Sequence, residues 1–117
     1  MRISMPRGDI HYVDFSVSTD DEFSGIDYDE IFFTVKRKYT DREFLFQKRL
    51  STGGITKVDD NLYRIKINPE DTNNLQINKS GEWYDFDIEV KYQDIIKDTY
   101  PGEFVLTKEV THSYNEG

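Results

Sequence analysis

The chain has 117 residues, about one domain, and although only 36% are hydrophobic it carries 8 Phe, 8 Tyr and 1 Trp to fill a core. Its formal charge of -8 and isoelectric point near 4.7 argue against nucleic acid and anionic membrane as partners, since both are recognised through clustered Lys and Arg. With no cysteine there is no disulfide framework or thiolate zinc site, and no run approaches the ~20 apolar residues of a membrane span.

A first short edge strand is expected around Ile3, and no apolar run of signal-peptide length accompanies it, so an unexported protein folding in a reducing cytoplasm is expected. Arg7-Gly8-Asp9 follows, a tripeptide read elsewhere as a ligand of adhesion receptors. Here it lies between two strand segments, not at a loop tip of a secreted chain, and Gly8 is read as a turn or bulge into the next strand. In that strand, from Ile10 to Val17, the residues His11, Val13, Phe15 and Val17 share one face and Tyr12 lies on the other.

Asp20, Asp21 and Glu22, with Asp27, Asp29 and Glu30 beyond, form the densest carboxylate cluster. The spacing lacks the fixed Gly and terminal Glu of an EF-hand, so a solvated loop with a turn at 20–25 is expected instead of a calcium site. The next strand sets Ile31, Phe33 and Val35 against Phe32, Thr34, Lys36 and Lys38, and a break follows at 39–43. Phe44, Phe46 and Leu50 are expected together on one strand face, then a turn at 51–54, an edge piece over 54–58 and a turn at 58–61 containing Asp59 and Asp60. Gly53-Gly54 stands alone and makes no phosphate-cradling loop.

Tyr63, Ile65 and Ile67 alternate with Arg64 and Lys66 in the following strand. The connection after it is expected to hold one helical turn, with Asn68 as cap, Pro69 in the first helical position and Asp71 completing a capping box. Asn78-Lys79-Ser80 is a formal glycosylation sequon, read as a bare loop. The clearest strand spans Glu82 to Tyr92: Tyr84, Phe86, Ile88, Val90 and Tyr92 face one way and Asp85, Asp87, Glu89 and Lys91 the other. An edge piece over 95–99, a turn at 100–102 and a last strand bearing Phe104, Leu106 and Val110 end the series.

Seven or eight short alternating strands with almost no helix indicate an all-β sandwich or a small barrel. The order from Ile67 to Ile88, a polar helical turn, then Gly81, then Tyr84, has the grammar of the E–F corner in immunoglobulin-like sandwiches, and decides for the sandwich. Tyr84 is the candidate corner tyrosine.

Chemistry is hard to assemble from these residues. The stripe Asp85, Asp87, Glu89 is spread along a flat strand and is expected to pair across it with Lys36 and Lys38. His11 and His112 lie near opposite ends of the chain and lack further zinc ligands, and no Ser, Thr or Lys stands in a nucleophile motif. No enzymatic activity, metal or cofactor is expected. The functional hint that remains is aromatic: Trp83, Phe32 and Tyr12 fall on outward faces, and three such rings on a small domain form a candidate patch for partner contact.

The order PRGD, an acidic loop with Gly25, EIFFTVKRK, FLFQKRL, GGI, YRIKINPEDTNNL, GEWYDFDIEV and GEFVLTKEVTHSYNE resembles the small immunoglobulin-like domains of tailed bacteriophages and prophages, such as the N-terminal domain of baseplate upper proteins. The resemblance spans nearly the whole chain, and its motifs are structural. It implies one domain over residues 1–117, acting as a structural or assembly component of a phage or prophage tail, associated with baseplate or neck. The implied partners are other phage structural proteins and itself as a homo-oligomer, with no nucleic acid or membrane. The implied location is the bacterial cytoplasm during assembly and then the virion. Unlike baseplate proteins the sequence has no module after Gly117, which under this resemblance implies a tail or neck accessory, a decoration protein or an assembly factor. A carbohydrate-binding module contacting bacterial surface glycans through edge aromatics is the alternative.

Overall fold

The computed structural model describes residues 1–17, 27–75 and 81–108. Within them the chain forms β1 Arg2–Pro6, β2 His11–Ser16, β3 Glu30–Lys36, β4 Phe46–Arg49, β5 Ile55–Asp59, β6 Leu62–Ile67, α1 Pro69–Thr72, β7 Glu82–Tyr92 and β8 Ile95–Thr107. A five-stranded sheet in the order β1-β8-β7-β3-β4 faces a three-stranded sheet in the order β2-β6-β5. All neighbouring pairs are antiparallel except β1 and β8, which run parallel with Arg2 beside Glu103 and Pro6 beside Thr107. With β3 and β7 central in one sheet and β2 and β6 paired in the other, this is the strand order of an immunoglobulin-like sandwich.

The alternation in the sequence decides which face is buried. On β7, Tyr84, Phe86, Ile88 and Val90 are buried, and the charged residues between them face outward. On β3, Ile31, Phe33 and Val35 are buried, and outward-facing Thr34 is covered as well, because Gln47 Nε2 on β4 donates to its Oγ1 at 2.9 Å. The buried apolar side chains form one cluster joining both sheets. Phe33 is its hub, with ring centroids 5.3 Å from Phe86, 6.0 Å from Phe46 and 6.5 Å from Phe104. Tyr63 organises a second group, 5.9 Å from Phe15 and 6.0 Å from Tyr28. Each ring removed from water stabilises the fold by roughly 1.5–3 kcal/mol before entropy is counted.

The corner after β6 is built as its residues dictate. The Asn68 backbone N–H donates to Asp71 Oδ2 at 2.7 Å, Pro69 opens α1, and Asn73 N–H donates to the Pro69 carbonyl at 2.9 Å. Lys48 on β4 reaches the same Asp71 oxygen at 2.5 Å, and both side chains are nearly buried, so the turn is tied to the larger sheet. Tyr84 is buried at the start of β7 with Arg37 stacked on its ring at 5.3 Å, and an Arg37 side-chain hydrogen bond. Residues 76–80, with the sequon, lie outside the described residues.

Several expectations are corrected. Tyr100-Pro101-Gly102 is no turn: β8 runs straight through it. Pro101 stands opposite Asp87, beyond the stretch paired with β1, and the Tyr39 hydroxyl donates to the Phe86 carbonyl at 2.8 Å while accepting from Gly102 N–H at 3.1 Å. That bridge holds the ladder together where proline interrupts it. The reversal lies instead at Gln93 and Asp94, both at positive φ, 53° and 65°, as a type I′ hairpin demands. Phe44 is exposed in the β3–β4 loop, not in line with Phe46, because β4 begins only at Phe46. Lys38 lies beyond the end of β3 and cannot pair with β7; its backbone N–H bonds Asp41 Oδ2 within the loop. The turn expected at 20–25, and Val110, lie outside the described residues.

Candidate functional site

The outer face of the larger sheet is the surface on which most of the sequence candidates sit. Along β7 it presents Trp83, Asp85, Asp87, Glu89 and Lys91, and the register sets Lys36 opposite Asp85, Thr34 opposite Asp87 and Phe32 opposite Glu89. The acidic stripe is therefore laid against a lysine, a threonine and an aromatic ring. Asp85 is held further by the Tyr39 backbone N–H, which donates to its Oδ2 at 3.0 Å. Asp87 is different: burial pushes its carboxyl above the ordinary range, with Lys36 opposing, and its Oδ1 is buried without a hydrogen-bond partner.

Trp83 is half exposed, and Arg2 on β1 lies over its ring at 4.5 Å. Phe32 carries Arg49 at 5.0 Å. Six positions of β7 separate the levels of these two rings, roughly 20 Å at the strand rise. Tyr12 lies on the outer face of the other sheet, under Arg64 at 5.9 Å. The three rings thus form no single patch, because β2 and β7 belong to opposite layers. Each is instead a separate aromatic–arginine stack, a pair of residue types favoured at interface centres. A guanidinium on one face of each ring also competes with the stacking a sugar would need, so the geometry lends nothing to glycan binding.

The remaining charged candidates are occupied locally. Asp27 pairs with Lys57 at 2.6 Å, which holds the lysine above its usual range, while Asp29 accepts from Asp94 N–H at 3.2 Å. Glu30 is raised by burial but lowered more by bonds from Ser51 and the Ile31 N–H, with a net fall. Asp20, Asp21, Glu22 and His112 lie outside the described residues; His11 is half buried at the start of β2. Asp59 closes β5 and accepts from Asp60 N–H in the turn. Among the described residues, no three His, Asp or Glu converge as metal ligands, and no helix is long and apolar enough to cross a membrane.

Arg7-Gly8-Asp9 is a structural clamp. Gly8, at φ 84°, donates its N–H to Thr72 Oγ1 at 2.8 Å; Arg7 Nη1 donates to the Leu75 carbonyl at 3.2 Å; and Arg7 N–H donates to the Thr107 carbonyl at 3.0 Å. The tripeptide joins the first strand, the α1 corner and the end of the last strand.

Two concavities had no signal in the sequence. One, of about 450 Å³, lies in the β3–β4 loop among Arg37, Asp41, Arg42, Glu43, Phe44 and Leu45. The other, about 340 Å³ and mainly apolar, opens between β2 and β8, lined by Met1, Phe15, Ser16, Ile88, Tyr100 and Pro101. Both are made by residues distant in sequence or by a loop whose path periodicity does not specify. A scan against protein-family models finds no match for this chain, and a search of curated proteins finds none either.

Proposed function

We propose that the protein is a structural or assembly component of a phage or prophage tail, associated with baseplate or neck, that works through protein–protein contacts and carries out no chemistry. The whole-chain resemblance to small phage immunoglobulin-like domains supports the tail context. The observation that carries the contact reading is Trp83, half exposed on the outer sheet with Arg2 over its ring at 4.5 Å, a pair of residue types favoured at interface centres. Its partners are other tail proteins and further copies of itself.

Light scattering on a sizing column over a wide concentration range tests self-association. A discrete assembly that persists on dilution, and that Trp83→Ala weakens at least tenfold, is the expected result. Mass spectrometry of tail particles from the encoding phage or prophage tests the context. Absence from both particles and assembly intermediates, with Trp83→Ala leaving every association unchanged, overturns the reading.

A further inference from the structure

We infer that the loop between β3 and β4 is a strap across the outer face of the larger sheet, and that a proton on Asp87 decides how firmly it is held. The inference goes beyond the contact reading above and does not rest on it.

The strap has one pin. Residues 37–45 leave β3 at Lys36 and rejoin the sheet at Phe46, with Leu45 N–H donating to the Val35 carbonyl at 2.7 Å. Lys38 and Asp41 close a turn on themselves, through Lys38 N–H to Asp41 Oδ2 at 3.2 Å and Asp41 N–H to the Lys38 carbonyl at 3.0 Å. Beyond Arg37, which stacks on Tyr84, the hydrogen bonds from this loop to β7 and β8 among the described residues all pass through Tyr39. Its N–H donates to Asp85 Oδ2 at 3.0 Å, and its hydroxyl donates to the Phe86 carbonyl and accepts from Gly102 N–H. Tyr39, Phe44 and Leu45 are exposed, so a segment with few buried contacts opens locally before the sheet does, and Phe44 and Leu45 move with it.

Asp87 follows the two residues that hold the pin, and its own Oδ1 is closed to solvent and has no hydrogen-bond partner. Charged and titratable groups surround it on every side: Asp85 and Glu89 on β7, Lys36 on β3, Glu103 on β8, Arg49 on β4 and Tyr39 from the loop. Thr34 stands directly opposite, but its Oγ1 is engaged by Gln47 and it does not bond Oδ1. Ionised, Asp87 adds a negative charge between Asp85 and Glu89 and leaves a buried acceptor unpaired. The Tyr39 hydroxyl has one proton, already given to the Phe86 carbonyl, and cannot serve both.

Lifting the strap lets water reach the carboxylate, whereas protonation relieves the same strain with the strap in place. Burial accordingly raises the Asp87 carboxyl in the closed form. The closed form then binds the proton more tightly than the open one. Closure is firmest below the open-form value and weakens as pH rises to the closed-form value, by up to about tenfold per pH unit.

The test is amide hydrogen exchange by NMR at several pH values, expressed as protection so that the intrinsic pH dependence is removed, with β6 amides reporting global unfolding. The expected result is that protection of Tyr39 and Gly102 falls as pH rises through the Asp87 titration, read from its side-chain carboxyl carbon, while β6 protection does not follow. Asp87→Asn holds both amides at the acid level throughout. Tyr39→Phe exposes Gly102 at every pH and moves the Asp87 titration back toward its ordinary value, a shift that a merely structural tyrosine does not produce. Asp87 titrating at or below 3.8, strap protection that changes only with β6, the same pH dependence in Asp87→Asn, or an unmoved Asp87 titration in Tyr39→Phe overturns the inference.

Discussion

Gly102 has no room for a side chain: an added Cβ falls 2.4 Å from the Phe86 ring and 2.5 Å from the Met1 carbonyl. Gly102→Ala is expected to cost about 1–3 kcal/mol, read as a lower urea midpoint at unchanged slope. This glycine, with Pro101, looked like a turn because local chemistry favours one; the strand survives through the hydroxyl of Tyr39, 63 positions away. No local pattern can carry that information. Asp87 makes a second residue-scale test. Burial raises its carboxyl above 3.8, so the ionised form is disfavoured in the fold, and the cost is present above the folded value and relieved as pH falls through it. Asp87→Asn is therefore expected to raise the urea midpoint near pH ~7, with the gain vanishing once the wild-type carboxyl is protonated in both states.

The elements divide by how local their causes are. β2, β3, β6 and β7 were legible because one face of each is buried, which writes period two into the sequence. The cap at Asn68 and Asp71 was legible because its residues are three apart. The Gln93-Asp94 hairpin was not, since neither is the glycine that usually marks positive φ, nor was the tie from Lys48 to Asp71. Asp71→Ala removes the cap and leaves a nearly buried lysine unpaired, for an expected loss of about 2–3 kcal/mol. Lys48→Met keeps the cap and fills the same space, so it is expected to cost less; denaturant curves of both variants and their double mutant separate the two contributions.

At the scale of the whole molecule the pairing of β1 with β8 joins residues far apart in sequence and is expected to close late: Arg2 sits beside Glu103, and Ile3 and Met5 are buried against the core. Sandwiches of such non-local pairing fold in milliseconds to seconds, with long loops closed only late. Ile3→Val, worth about 1 kcal/mol, is accordingly expected to speed unfolding roughly fivefold and leave the folding arm of the chevron nearly unmoved. Topology also decided the candidate surfaces, because the layer to which Tyr12 belongs follows from strand order, whereas the outward direction of Trp83, Phe32 and Tyr12 follows from alternation alone.

The parallel pairing of β1 with β8 also fixes how the domain answers to force. A pull applied between Arg2 and Lys108 draws the two strands lengthwise past each other, since Arg2 lies beside Glu103 at one end and Pro6 beside Thr107 at the other. The whole ladder between them is loaded at once and cannot be peeled open one bond at a time. Rupture then waits on the unfolding barrier of the entire joint, and a chain tethered through these two strands resists tension that would unzip an antiparallel terminal pair.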